Sequence, residues 1–271
     1  MSGSAPVLET RALVKRFGGL AAIDGVDFHL PEAGRLHAVI GPNGAGKTTL
    51  FNLVSGRLRP TSGTILFRGE DITKMKPYSI ARRGVARTLQ IKSVFNALTV
   101  FENILTATQA HLATRHFFRP ATSFHETTEK AEQIIEELGL QEIAKHTAGT
   151  LSYGDVAMLE LAIALAAEPS LLLLDEPICG MSPAETQRTV AKIVDLSKRL
   201  SVILIEHDME VVFDVADDIT VMAVGQILAQ GTPRQIADDP RVREAYLGHD
   251  EDDDWDDENI ASVPIGADVN G

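Results

Sequence analysis

Hydrophobic and polar positions along the chain change period several times, and each change marks an element. Residues 7–30 alternate in strand fashion, from Val7-Leu8-Glu9-Thr10 and again from Ile23 to Leu30, with Gly18-Gly19 and Gly25 between them. That pattern predicts antiparallel strands joined by turns. Leu36-His37-Ala38-Val39-Ile40 is an apolar run of strand type, and Leu50-Phe51-Asn52-Leu53-Val54-Ser55 reads as a short helix closed by Gly56. A strand is expected between glycines over 63–69, a short helix near Pro77–Arg83, and another strand over 84–90. The period then turns helical. Thr99-Val100-Phe101-Glu102 and Ser123-Phe124-His125-Glu126 each match a capping box. Ala131, Ile134, Ile135 and Leu138 fall at i, i+3, i+4 and i+7 before Gly139 stops the helix. His111 to Ala121 has no clear period and reads as loop. Roughly 92–165 therefore reads as a helical subdomain inserted into a larger unit. Leu171–Leu174 and Ser201–Ile205 are buried-strand runs, and Ser182-Pro183-Ala184-Glu185 opens a helix to about Leu200 with an N-cap, a proline at N1 and a glutamate at N3. Strands alternating with helices predict an α/β fold with a parallel sheet.

Between the first apolar strand and its helix lies Gly41-Pro42-Asn43-Gly44-Ala45-Gly46-Lys47-Thr48-Thr49, a complete G-x-x-x-x-G-K-T loop in strand–loop–helix context. Gly44 and Gly46 let the backbone bend close to a polyphosphate and aim N–H groups at its oxygens, at the positive end of a helix. Lys47 reaches the β- and γ-phosphates, and the Thr48 hydroxyl suits Mg²⁺. The spacing implies a nucleoside triphosphate, bound by residues 41–49.

Two strand ends carry further chemistry. Asp175 follows four leucines, at the end of a strand where open α/β sheets bind ligands, and suits Mg²⁺ through water. Glu176 beside it can take a proton from, or orient, the water that attacks a γ-phosphate. His207 ends the other buried strand and could donate a hydrogen bond to that phosphate. Gln90 precedes the helical stretch, where it can sense metal and water. In Leu151-Ser152-Tyr153-Gly154-Asp155, Ser152 is an N-cap and Asp155 at N3 completes a capping box. That stretch reads either as a well-capped apolar helix, or as a helix N-terminus whose Ser152 and Gly154 face phosphates held by a second subunit. Phe17, beside Lys15 and Arg16, reads locally as an edge aromatic in preference to a ring that could stack on a base.

Composition narrows the setting. Of 271 residues 44% are hydrophobic, enough for a sizeable core in one large domain. The net charge of −13 is uneven: residues 250–271 hold nine acids and no Lys or Arg, leaving −4 on the body. A near-neutral body gives no support to a nucleic-acid protein. The single cysteine, Cys179, allows no internal disulfide and reads as a small packing residue. No apolar run approaches 18 residues and the first residues lack a signal core, so a cytosolic chain is expected, with other chains holding it at any membrane.

Phe17, residues 41–49, Gln90, Leu151–Asp155, Leu171–Glu176 and Glu206-His207-Asp208 stand in the order seen in ATP-binding subunits of ABC transporters, and the chain resembles them over about residues 7–247. Within that family it is most similar to the larger ATPase subunit of branched-chain amino acid importers, through Arg87-Thr88-Leu89-Gln90, the long stretch to Leu151, Gly180-Met181-Ser182-Pro183, Ile205–Met209 and Ala245-Tyr246-Leu247-Gly248. The resemblance implies a P-loop (RecA-like) ABC ATPase core over 1–248, with an antiparallel β subdomain and the inserted helical subdomain. Residues 249–271 lie outside it as an acidic, solvated tail. It further implies adenine stacking on Phe17 and a Mg²⁺-dependent ATPase using Lys47, Gln90, Glu176 and His207, with Thr48, Gln90 and Asp175 at the metal. ATP would be sandwiched between residues 41–49 of one chain and Ser152 and Gly154 of a second ABC ATPase, a paralogue or another copy. Two membrane-spanning permease subunits would hold the pair at the cytoplasmic face of the membrane, with a solute-binding protein engaged indirectly. Urea and short-amide importers have very similar ATPases, whereas the long insert argues against a lipopolysaccharide-export ATPase. A soluble ABC switch would be expected to carry two cassettes, coiled-coil inserts or a basic surface, and a small-molecule P-loop kinase leaves Leu151–Asp155 and Glu176 unexplained. The signature departs from Leu-Ser-Gly-Gly-Gln at Tyr153 and Asp155, and Asp155 puts an anion near the partner's triphosphate.

Overall fold

The computed structural model describes residues 6–31, 34–88, 94–115 and 123–247. The N-terminal alternation folds as expected. β1 (Leu8–Phe17) pairs antiparallel with β2 (Leu20–Val26), β3 (His29–Leu30) and β5 (Ser62–Phe67), and β6 (Glu70–Asp71) closes the edge beside β5. β4 (Leu36–Ile40) leaves this sheet for a second one and leads through the glycine loop into α1 (Lys47–Val54). The helix starts earlier than its apolar residues predict, because its N-cap is Gly46, a residue the period cannot register.

Past β6 come α2 (Pro77–Ala81) and β7 (Val85–Arg87), then α3 (Val100–Arg115), α4 (Ser123–Leu138) and α5 (Tyr153–Leu165). α3 runs on through His111 to Arg115, so the loop expected from His111 is corrected there; residues 116–122 lie outside the described ones. Its opening box is real: the Thr99 N–H donates to Glu102 at 2.8 Å and the Glu102 N–H donates to the Thr99 hydroxyl at 3.2 Å. Ala131, Ile134, Ile135 and Leu138 on α4 are all buried, as their spacing requires.

The chain then alternates strand and helix: β8 (Leu171–Asp175), α6 (Pro183–Ser197), β9 (Ser201–Ile205), α7 (Met209–Val215) and β10 (Asp218–Ala223). It turns back into β11 (Gln226–Gly231) and finishes with α8 (Pro233–Ala237) and α9 (Pro240–Leu247). The second sheet has the order β11-β10-β4-β9-β8-β7, and all its neighbours are parallel except β11, an antiparallel edge.

Strand periodicity divides the core. Leu171, Leu173, Ile203 and Ile205 pack with α1 and the antiparallel sheet, while Leu172, Leu174, Val202 and Leu204 pack with the helices α3 to α6. A sheet covered on both faces needs continuous apolar strands, which explains why these runs do not alternate. Among the described residues no helix is long and apolar enough to cross a membrane.

Candidate functional site

Three neighbouring parallel strands end side by side. Val39 pairs with Ile205 and Ile205 with Asp175, so β4, β9 and β8 deliver the glycine loop, His207 and the Asp175-Glu176 pair to one edge of the sheet. This is the carboxyl edge, where open parallel sheets place ligands.

At the end of β4, Gly44 is exposed with φ +81°, and a Cβ there would meet nothing. Its glycine serves backbone conformation and open approach. Gly46 differs: φ is +103° and a Cβ would lie 2.5 Å from the Ala22 carbonyl oxygen. The loop is thus pressed against β2, whose hairpin partner β1 ends in Phe17, 48% exposed, with the Lys15 Nζ 4.9 Å from its ring centre. A glycine N-cap places no side chain on the first N–H groups of α1, leaving donors of the kind that hold polyphosphates. Lys47 is buried and its Nζ donates to the carbonyls of Gly41 and, at 3.2 Å, Pro42, which folds the ammonium back over the loop. Asn43 is exposed at the loop tip, Ala45 is buried, and Thr48 and Thr49 are half-buried in the first turn of α1.

Asp175 lies at the end of β8 with its side chain fully out of solvent. Its Oδ2 accepts a 2.8 Å hydrogen bond from Arg87 on β7, and Arg87 also donates to Asn52 of α1 at 2.8 Å. Burial pushes the Asp175 carboxyl up and the Arg87 guanidinium down, and their mutual pairing opposes both shifts. Asp175 Oδ1 is buried without a protein hydrogen-bond partner. The described residues contain no group of three His, Cys, Asp or Glu able to hold a metal ion. A buried carboxylate oxygen without a protein partner suits Mg²⁺, which keeps water and phosphate oxygens and needs only one or two protein ligands. Gln90, also assigned to the metal and to catalysis, lies outside the described residues.

Glu176 has φ +52°, a left-handed conformation uncommon for a residue with a side chain. Its Oε1 shares a 2.8 Å hydrogen bond with Nε2 of His207. The two residues are 31 apart in sequence, and the sheet brings their side chains together. Glu206, between β9 and His207, is 4% exposed and accepts from the N–H groups of Ile178 at 3.1 Å and His207 at 3.2 Å. Burial pushes its carboxyl up to about 7 against those two bonds, with the charges of Glu176 and Asp208 adding to the rise.

Ser152 caps α5, its hydroxyl accepting from the Asp155 N–H at 3.2 Å and donating to the Asp155 carboxylate at 3.1 Å; the expected capping box is thus corrected to its first half, because that carboxylate takes the hydroxyl and not the Ser152 N–H. The anion at Asp155 is paired with Arg188 of α6 at 2.6 Å. The Gly154 N–H donates to Glu185, also of α6, at 3.2 Å, and a Cβ on Gly154 would collide with that side chain at 2.8 Å. Bonds from the Ser182 N–H and hydroxyl, then from Ser152 and Gly154, hold the Glu185 carboxyl down at about 2. Cys179 is exposed, which corrects its assignment as a packing residue.

The sequence pointed to Asp175 and His207 but not to their partners Arg87 and Glu206, and to Gly154 and Asp155 but not to their partners Glu185 and Arg188. One signal was available for Arg87: a charged residue ending a strand beside buried strands needs an acid.

Comparison with known proteins places these features. A family model described as ABC transporter matches residues 23–179, and one described as branched-chain amino acid ATP-binding cassette transporter matches 226–252. The high-affinity branched-chain amino acid transport ATP-binding protein BraF of Pseudomonas aeruginosa is 44% identical over 253 residues, covering 90% of this chain and 99% of that protein. LivG of Escherichia coli K12, which carries the same description, is 41% identical over 256 residues, covering 90% and 99%. The crystal structure of a nucleotide-free ATP-binding cassette from an ABC transporter superposes with a TM-score of 0.78 at 32% identity, covering 89% of this chain and 98% of that one. An ADP conformation of an ATP-binding cassette matches with the same score and identity, covering 90% and 99%. The strand-end constellation, the matched family model and the near-complete coverage of these relatives agree that the chain belongs to the ABC transporter family.

Proposed function

We propose that this chain is the ATP-binding and hydrolysing subunit of an ABC importer for branched-chain amino acids. The observation that carries the hydrolytic part is the meeting of Glu176 and His207 at 2.8 Å beside the end of β4, where the glycine loop begins. Residues 41–49 hold the triphosphate of ATP, with Lys47 at its β- and γ-phosphates and Phe17 stacked on adenine. Thr48, Asp175 and Gln90 would hold Mg²⁺, which when bound would neutralise phosphate charge. Glu176 accepts the proton of the attacking water. His207 fixes the orientation of that carboxylate, and the same nitrogen reaches a γ-phosphate oxygen only by leaving Glu176. Ser152 and Gly154 complete the ATP site of a second ABC ATPase subunit, a paralogue or another copy.

The solute assignment is supported by the relatives' descriptions and by the match over 226–252. In this reading residues 1–248 form the ATP-binding unit and about 92–165 its helical subdomain. Two membrane-spanning permease subunits hold the pair at the cytoplasmic face, served by a solute-binding protein, and residues 249–271 are a separate acidic tail. Gentle solubilisation of membranes with the tagged chain tests this. Recovery of two multi-span proteins and a second ABC ATPase, with leucine uptake lost when the chain is deleted, is expected. A chain that brings down no membrane protein contradicts the transporter assignment.

A further inference from the structure

Glu176 is held in a left-handed backbone conformation, and such conformations persist only when the surroundings over-determine them. Two contacts flank it: its own N–H donates to the Ile205 carbonyl at 2.9 Å, and its carboxylate meets His207. A third comes from Glu206. One oxygen of its carboxylate takes the N–H of Ile178, two residues beyond Glu176; the other takes the N–H of His207. The contacts close a ring: backbone from Glu176 to Ile178, across the Glu206 carboxylate to the His207 backbone, and through the imidazole back to Glu176.

The choice of residue is informative. Glu206 is buried among apolar side chains including Val190, Leu204, Val211 and Val215, and the charges that bear on it, Glu176 and Asp208, are also acidic. A carboxylate is an expensive group to bury in such a place. When ionised it is also the one side-chain group that offers two acceptor oxygens and no donor, which suits two converging N–H groups.

We infer that Glu206 is a positioning residue for hydrolysis, a strut that sets the spacing between the Glu176 loop and His207 and so holds the pair in working geometry. This rests on the assignment of Glu176 and His207 to hydrolysis. Glu206→Gln keeps the length of the strut but turns an NH₂ toward one N–H; Glu206→Asp keeps the charge but shortens the reach. Both variants are to be assayed in the assembled transporter beside wild type and Glu176→Gln. Loss of one hydrogen bond to a charged group corresponds to about a tenfold fall in kcat. The expected result is that fall in both variants, with the KM for ATP close to wild type and no fall in melting temperature at the assay pH. Wild-type kcat in either folded variant overturns the inference. So does a parallel loss of kcat, ATP affinity and melting temperature, the mark of a merely structural role. Normal turnover in Glu176→Gln would instead overturn the hydrolytic assignment, whatever Glu206 does.

Discussion

Asp175 is buried with Arg87 2.8 Å away, the pairing that opposes the upward push of burial on its carboxyl, and Arg87 in turn ties β7 to Asn52 of α1. Removing one partner of such a buried pair leaves the other charge uncompensated, which typically costs roughly 3–5 kcal/mol. Arg87→Ala is therefore expected to lower unfolding free energy by about that amount in denaturant titrations; a loss below about 1 kcal/mol would contradict a buried pair that needs both partners. Motif positions such as Lys47 and Glu176 were legible because their chemistry dictates residue type and spacing together. Arg87 was not, because its partner is 88 residues away and no local pattern links two charges over that distance. The same holds for Gly154 and Glu185, 31 apart.

At the scale of elements, α5 and α6 are clipped together at their N-termini by Glu185 on Gly154 and Ser152 and by Arg188 on Asp155. The Glu185 carboxylate thus occupies, within one chain, donors that the proposed function assigns to a partner's phosphates. Glu185→Gln keeps the capping box of α6, since glutamine serves at N3, and removes the competing anion. ATP-dependent association of the ATPase subunits is expected to tighten about threefold in sedimentation measurements. Arg188→Ala frees the charge of Asp155 and is expected to act oppositely. Weaker association in Glu185→Gln would show that the clip supports the signature helix rather than competing for it. Element existence was readable from period and caps, as with the box at Ser182 and Glu185, where both reciprocal bonds are present. Element ends were less so. α3 outlasts its regular apolar spacing, and α1 begins on a glycine cap.

Two buried ionisable groups oppose each other across the whole molecule. Burial lowers His37, bonded to Thr220, from 6.5 to about 4, and raises Glu206 from 4.5 to about 7. The stability that neutral His37 contributes is present above 6.5 and lost as pH falls toward 4. That of protonated Glu206 is present below 4.5 and lost as pH rises through 7. Each shift corresponds to about 3 kcal/mol. Between pH 4.5 and 6.5 the two nearly cancel, so Glu206→Gln should steepen the loss of stability on acidification and His37→Gln should reverse it. Melting curves across that range check both; unchanged slopes would contradict the burial assigned to these groups. The parallel core of the sheet was legible from strand–helix alternation. The antiparallel edge β11 and the neighbour order were not, because strand order is set by crossover packing rather than by any single stretch.

All these scales converge on Glu176, and the most direct measurement is ATP binding and steady-state turnover of Glu176→Gln beside wild type. Removal of a general base slows turnover by about 10²–10⁴-fold. The account predicts a loss of that size with ATP affinity kept within about twofold, because the proposed function gives the phosphates to residues 41–49 and not to Glu176. Turnover near the wild-type rate would contradict it and take Glu176, with the His207 contact that positions it, out of the mechanism.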